Sequence, residues 1–338
     1  MKRILFIDPV STRPYRLDPN AETPLGGTEA TLLRVARGLR ERGYEVWIAQ
    51  KAREASETDR HGINYFPFRF REKLLCPNPD VVVCLRAHKI VPWLRRELSC
   101  PIYLWLHCFP GTRRSCIGKM SREHDFHVVA VSRSHARFVE NRCGVRPIVI
   151  YNPLEPGLSK YRTTAKEPDS FIFFSSPHKG LPQVLAMFQR VREHFPRLKL
   201  KVANPGYLES GNEKWEGVIN LGVLPHHRVL EEVASSFCVF YPQTTFAETF
   251  GLVFAEAHAV GTPILTHDLG SAAEVLDDPE QLVDCSDPDA VIERVARWRS
   301  QGAPRPAADP RFELTRVVDR WEQVLLHRPS LKRLEAAS

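Results

Sequence analysis

No apolar run in this 338-residue chain approaches the length of a membrane span, and the first apolar stretch, Ile4 to Ile7, stops at Asp8, too short for the hydrophobic region of a signal peptide. A cytoplasmic protein with reduced thiols is therefore expected. The eight cysteines contain no Cys-x2-Cys pair, and although Cys100, Cys108 and Cys116 recur every eight residues, His107 beside Cys108 is not a zinc spacing. Buried thiols account for them better than a metal site. Also missing are a G-x-G-x-x-G turn and a Walker lysine, which argues against a dinucleotide enzyme and a P-loop NTPase. No nucleic-acid-binding motif accompanies the basic balance, so charge alone does not imply that partner.

What is present is enough apolar material, 43% of residues, for two domains with their own cores. Charge divides the chain in the same way. Residues 1–152 carry 26 Lys and Arg against 15 Asp and Glu, whereas residues 153–338 carry 21 against 25. Short apolar runs at Lys2–Asp8, Tyr44–Ala49, Asp80–Leu85, Ile102–His107, Phe126–Ser132 and Ile148–Tyr151 read as buried strands with helical segments between them, the pattern of a doubly wound parallel sheet. After Asn152-Pro153, residues 153–168 read as a linker, and the pattern restarts with strands at Ser170–Phe174, Leu198–Ala203, Val218–Leu221, Phe237–Tyr241 and Ile264–His267. The stripe Leu314, Val317, Val318, Trp321, Val324 and Leu325 predicts a terminal helix.

The most informative stretch is Tyr241–Ile264, YPQTTFAETFGLVFAEAHAVGTPI. Gly251 opens an apolar segment closed by Gly261 and Pro263, which predicts a strand end, a turn and a helix. Amides at a helix start lack intrahelical partners, so those of Phe250–Val253 form a small positive cup suited to a phosphate. Glu248 precedes the cup and Glu256 lies in the second turn, where carboxylates can accept hydroxyls. Two glutamates so spaced also occur in many helices for the dipole alone. Earlier, Gly26-Gly27 opens a helix after a strand and a long loop, a place where backbone can approach a diphosphate closely or where a helix simply begins.

Together these residues resemble family 4 glycosyltransferases of the GT-B fold. The match lies in Glu248, Phe250-Gly251-Leu252, Glu256-Ala257 and Gly261-Thr262-Pro263, in Lys179-Gly180-Leu181, and more loosely in Gly26-Gly27, His107 and Ser132-Arg133. The resemblance implies an α/β protein of two Rossmann-like doubly wound domains facing each other across a cleft. The first domain, residues 1–152, would bind the acceptor, the second, residues 169–310, a nucleotide-sugar donor, and a helix at 311–328 would cross back onto the first. It implies transfer of a hexosyl or N-acetylhexosaminyl group with retention of configuration, from a UDP- or GDP-sugar and with no further cofactor. Glu248, Lys179 and His107 are then the catalytic candidates, and Gly26, Gly27, Ser176, His178, Phe250, Gly251, Leu252 and Glu256 the donor-binding ones.

There is one departure. Many members carry an arginine shortly before the lysine, where Ser175-Ser176-Pro177-His178 offers none, so His178 or a first-domain arginine is expected to substitute. Asp287-Pro288-Asp289 resembles a metal-binding Asp-x-Asp of another fold but directly precedes a helix, where aspartate is a good cap. The acceptor is expected to be a glycan, a lipid-linked or an anionic molecule met by Arg13, Arg113 and Arg114. Tyr65–Lys73, YFPFRFREK, mixes aromatics with bases and suggests peripheral contact with an anionic membrane. A sugar-nucleotide epimerase or hydrolase of the same architecture, and a non-catalytic nucleotide-sugar-binding partner, are the alternatives.

Overall fold

The computed structural model describes residues 2–17, 25–76, 78–111, 116–204 and 215–326. The chain forms two compact units. The first holds Met1–Leu17, Thr28–Pro153 and Glu313 onward; the second holds Leu154–Phe312 and the short stretch ending at Gly27.

The first unit is built on strands β1 (Arg3–Asp8), β2 (Glu45–Gln50), β3 (Glu57–Thr58), β4 (Asn64–Pro67), β5 (Val81–Leu85), β6 (Ile102–Trp105), β7 (His127–Ala130) and β8 (Ile148–Val149), with helices α1 (Gly27–Glu41), α2 (Val91–Glu97), α3 (Ile117–His124) and α4 (Arg133–Cys143). The sheet order is β3-β4-β2-β1-β5-β6-β7-β8, parallel throughout except for β3 on β4. Both faces are covered, so the central strands are apolar without alternation: Ile4 to Ile7 and Val81 to Leu85 are all buried. Strand β1 pairs with β2 on one side and with β5 on the other; the chain runs outward from β1 through β2 to β4 and then returns to the other side of β1 at β5, leaving a gap between the two connections there. That gap is the topological switch point, where ligands of such sheets bind beyond the strand ends.

Strands β3 and β4 were not anticipated from the sequence. Strand β4 is four residues long and ends at a proline, which cannot donate to a ladder. It corrects the reading of Tyr65–Lys73 as one mixed surface segment, because Tyr65 and Phe66 are core residues at 1% exposure each.

The second unit has strands β9 (Glu167–Phe173), β10 (Lys199–Asn204), β11 (Val218–Val223), β12 (Ser236–Tyr241) and β13 (Ile264–Thr266), in the parallel order β11-β10-β9-β12-β13. Its helices are α5 (Leu181–His194), α6 (His226–Ser235), α7 (Leu252–Ala259), α8 (Ala272–Leu276) and α9 (Pro288–Gln301). Its switch point lies between β9 and β12. A 3-10 helix at Leu158–Thr163 occupies part of the segment joining the units. Asp287 caps α9 by accepting from the Asp289 amide at 3.0 Å, the role its position suggested.

The last helix, α10 (Leu314–Leu326), packs within the first unit. Trp321 meets Trp105 edge-on at 4.7 Å, and the Tyr103 hydroxyl donates to the Val324 carbonyl at 2.8 Å. Gly38 on α1 makes room for it: a Cβ there would lie 2.4 Å from Val318 Cγ2. Among the described residues no helix is long and apolar enough to cross a membrane.

Candidate functional site

In the second unit, two sequence-predicted residues meet across the switch point. Strand β9 runs out into the turn Ser175–Gly180, and β12 into the loop Pro242–Phe250. Lys179, from the first, places Nζ 2.8 Å and 3.0 Å from the two carboxylate oxygens of Glu248, from the second. The Glu248 side chain is 8% exposed and that of Lys179 24%, so the carboxylate is buried and the ammonium borders solvent. The Tyr241 hydroxyl donates to Glu248 Oε1 at 3.3 Å, and burial first, then Glu248, push its pKa well above the ordinary tyrosine value. It stays protonated and remains a donor.

The loop carrying Glu248 is held in place by its own polar side chains. Gln243, 3% exposed, accepts from the amides of Thr245 at 2.9 Å and Phe246 at 2.7 Å and donates to the Phe246 carbonyl at 2.8 Å. Gln183 on α5 accepts from the Thr244 amide at 3.0 Å. No buried side-chain polar atom of residues 242–250 is left without a partner, and these bonds hold the loop in one shape. Gly180, with φ +92°, lets the lysine turn pass under it: a Cβ there would come within 2.5 Å of Gln243 Cβ. The Phe246 ring lies 4.9 Å from Lys179 Nζ and 5.5 Å from the His178 ring. On the far side, Gly270 pairs with Glu248 in an isolated bridge and the Ser271 amide donates to the Glu248 carbonyl at 3.0 Å.

Helix α7 follows directly. Its first intrahelical bonds run from Phe254 and Ala255 to the Gly251 carbonyl, and no side chain caps the end. The amides of Leu252 and Val253 thus come before the first intrahelical donors, an arrangement suited to an anion. Gly251 sits at φ +74°, and a Cβ there would press within 2.4 Å of the Phe254 ring. The helix is buried from Val253 to Ala259, including Glu256. His226, at the start of α6, places Nε2 3.2 Å from Glu256 Oε1. The two glutamates therefore have different companions, an ammonium for Glu248 and an imidazole for Glu256.

Ser176 is buried, and its carbonyl accepts from the Lys179 amide at 2.9 Å, closing the turn. His178 follows Ser176 and Pro177 in the same turn, its ring against that of Phe246. Burial first, then the neighbouring Lys179, lower its pKa from the ordinary histidine value, so at neutral pH it is an uncharged hydrogen-bonding group.

The first unit has an ion pair at its own switch point, which sequence reasoning missed. Asp8 ends β1 and Arg86 directly follows β5; Arg86 Nη2 lies 3.0 Å and 3.1 Å from the Asp8 carboxylate oxygens and 3.4 Å from Glu29 on α1. Asp8 is 0% exposed and also accepts from the Tyr15 hydroxyl at 2.9 Å. Burial opposes the Arg86 charge, but Asp8 and Glu29 outweigh it and raise its pKa. Arg86 holds a left-handed backbone, φ +60°, a strain that persists only where surroundings over-determine it. The available signal was a charged residue closing each of two apolar runs, RILFID and VVVCLR.

His107 lies two residues beyond β6, its ring 4.5 Å from that of Trp105. Burial, then Arg86 and His135, hold its pKa well below the usual value, which keeps it neutral. Gly27 is the first residue of α1, with Gly26 before it. Arg13 is partly exposed in the loop after β1. Arg113 and Arg114 lie outside the described residues. Among the described residues, no group of three or more His, Cys, Asp or Glu is arranged to hold a metal ion.

Residues 163–309 match the model of the family Glycosyl transferases group 1. A phosphatidyl-myo-inositol mannosyltransferase of Propionibacterium freudenreichii is 32% identical over 163 residues, 46% of this chain and 42% of that protein, so the match spans less than half of the relative's length. AviGT4, a glycosyltransferase involved in avilamycin A biosynthesis, superposes with a TM-score of 0.62 at 18% identity over 100% of this chain and 99% of its own. A UDP-forming α,α-trehalose-phosphate synthase from Burkholderia xenovorans gives 0.64 at 14% identity over 97% and 99%. The fold is that of GT-B glycosyltransferases.

Proposed function

We propose that the protein transfers a sugar from a nucleotide-diphosphate sugar to a hydroxyl acceptor, with retention of anomeric configuration. The observation that carries this reading is the Lys179–Glu248 pair across the switch point of the second sheet, next to the uncapped start of α7. A helix start and an ammonium together suit a diphosphate, and a buried carboxylate beside them suits sugar hydroxyls. On donor binding Lys179 exchanges its carboxylate for a phosphate oxygen, and Glu248, still held by Tyr241, accepts from the sugar. Glu256 takes the ribose.

In the transfer itself, the bond from the anomeric carbon to the diphosphate breaks and a bond to the acceptor oxygen forms on the same face. The acceptor proton passes to the departing phosphate oxygen. Lys179 and the amides of Leu252 and Val253 stabilise the charge that grows on the leaving group, the largest electrostatic demand of the step. No enzyme nucleophile and no metal ion enter this scheme. His107, Gly26 and Gly27 carry donor roles by resemblance alone, and the fall in kcat on single substitution is their test.

The trehalose-phosphate synthase is UDP-forming by name, which favours UDP over GDP, and the inositol-lipid mannosyltransferase favours a hexosyl group and a lipid-linked acceptor. The test is calorimetric titration with UDP, GDP and ADP, followed by the sugar conjugates of whichever binds. Selective binding of one nucleotide, weakened in Lys179→Ala, is expected. Equal titration of Lys179→Ala and the native chain would overturn the site, and a product of inverted configuration would overturn the mechanism.

A further inference from the structure

One surface of the first unit combines exposed apolar side chains with unneutralised cations. After β4 the chain buries Phe68 and then makes a turn closed by the Glu72 amide donating to the Arg69 carbonyl at 3.2 Å. Arg71, third in that turn, has φ +69°, a left-handed conformation usually left to glycine. The turn holds up Phe70, 48% exposed, with the Arg71 guanidinium 5.2 Å over its ring and Trp93 against its edge at 5.5 Å. Leu75, 55% exposed, follows in the same loop, and Val10, 43% exposed, comes from the loop after β1. A cavity of about 440 Å³ is lined by Pro9, Lys51, Phe68, Arg69, Phe70 and Ile90.

The cations of this surface are Lys51, Arg69, Arg71, Lys73 and Lys89, all exposed, and Glu72 is the acid within the turn. Arg69 donates to the main-chain carbonyls of Lys51 at 3.0 Å, Phe68 at 3.1 Å and Arg53 at 3.2 Å, which orient its guanidinium without cancelling its charge. Water solvates the cations well but gains nothing from Phe70, Leu75 and Val10. The boundary layer of an anionic bilayer accommodates both, apolar groups among the acyl carbons and cations against lipid phosphates. An acidic protein partner would match the charge, but it gives no reason for large apolar side chains at a loop tip stiffened by Trp93 and a left-handed arginine.

We propose that this surface docks on a bilayer containing anionic phospholipid, with Phe70 and Leu75 entering the headgroup layer and a lipid phosphate seated at Lys51 and Arg69. Pro9, Lys51 and Phe68 directly follow the carboxyl ends of β1, β2 and β4, the edge at which ligands of such sheets bind. Docking therefore brings that edge to the membrane, where a lipid-linked acceptor lies. Only this last consequence rests on the transferase reading.

The experiment is co-sedimentation of the full chain, without nucleotide, on phosphatidylcholine vesicles with and without phosphatidylglycerol. Binding to the anionic vesicles alone, weakened by added salt, is expected. Removing one cation should weaken partition about fivefold, so Arg71→Gln with Lys73→Gln lowers it about 25-fold. Phe70→Ser should lower it by roughly tenfold. Arg71 and Lys73 are exposed, so Arg71→Gln with Lys73→Gln keeps the native thermal midpoint, whereas Phe70→Ser, which also loses the Trp93 edge, lowers it by a few degrees at most and stays folded at the assay temperature; this separates lost docking from lost folding. Equal binding to both vesicle types, no sedimentation with either, or anionic binding unchanged by these substitutions would each overturn the proposal. Nucleotide titration is read separately, so failure of the transferase reading is a different result.

Discussion

Truncating either end of the Lys179–Glu248 pair should have unequal consequences, because the two ends differ in burial. In Lys179→Met, which keeps the stem and removes the charge, the Glu248 carboxylate at 8% exposure loses the ammonium at 2.8 Å and keeps the Tyr241 hydroxyl at 3.3 Å. Breaking a fully buried pair costs 3–5 kcal/mol; with Lys179 24% exposed the appropriate figure is smaller, about 2 kcal/mol. In Glu248→Gln the stranded charge is the solvent-bordered ammonium, 4.9 Å from the Phe246 ring, and the cost is about 1 kcal/mol. The double variant leaves no stranded charge and should cost about 1 kcal/mol, giving a coupling near 2 kcal/mol. For a unit of this size the midpoint falls about 2–4 °C per kcal/mol, so Lys179→Met melts about 4–8 °C early. Nucleotide affinity should split the other way. Lys179→Met loses a charge-assisted contact and binds the diphosphate about 10- to 150-fold more weakly, while Glu248→Gln binds it at least as well as the native chain, since a competing carboxylate has gone. Urea unfolding at three compositions and calorimetry measure both. Equal and additive stability losses, or native nucleotide affinity in Lys179→Met, would refute the reasoning.

Two further outcomes follow from single residues. Gly270→Ala puts a Cβ 2.4 Å from the Glu248 carbonyl oxygen, a main-chain atom that cannot swing away; donor turnover should fall by at least about 100-fold, read as kcat, whereas Gly302→Ala, equally left-handed but with nothing within 4 Å, should keep it. His135, whose pKa burial pushes down to about 4, accepts from the Val131 amide and donates to the Cys108 carbonyl in its neutral form. Below pH 6.5 the unfolded chain takes up the proton first, so stability is lost as pH falls from 6.5 towards 4, by about 2–3 kcal/mol at pH 4.5. His135→Asn should flatten that limb of the urea midpoint against pH, and an unchanged slope would show that His135 does not carry it.

The sequence showed the parallel cores because a strand covered on both faces has no choice of residue: RILFID and VVVCL read as strands with or without their neighbours. It showed less where a strand borrows its stability from one neighbour, as in Asn64–Pro67, or where an aromatic can be core or surface. Tyr65, Phe66, Phe68 and Phe70 are close in sequence and alike in type, yet three are buried and the fourth stands 48% exposed. Pleat and turn decide that, and neither is written in composition. His178 is a different case. Its position beside Lys179 suggested a second cation, whereas burial first, and then the neighbouring ammonium, lower its pKa from the ordinary histidine value.

The switch points explain why half of the polar architecture was missed. In the second sheet both partners lie in motifs, Lys-Gly-Leu and a distant Glu-x7-Glu, so each residue was readable as a candidate, though not their pairing. In the first sheet Asp8 and Arg86 stand 78 positions apart with no motif between them, and only the order β2-β1-β5 brings them together. The two pairs also differ in what they can do. Lys179 borders solvent and can trade its carboxylate for a phosphate, whereas Asp8, at 0% exposure and held by Tyr15 as well, cannot part from Arg86 without stranding a buried charge. Arg86 is therefore fixed where it stands, left-handed backbone included, and its charge acts by place: after burial, it is the next cause that holds the His107 pKa down and keeps that side chain a neutral hydrogen-bonding group rather than a cation.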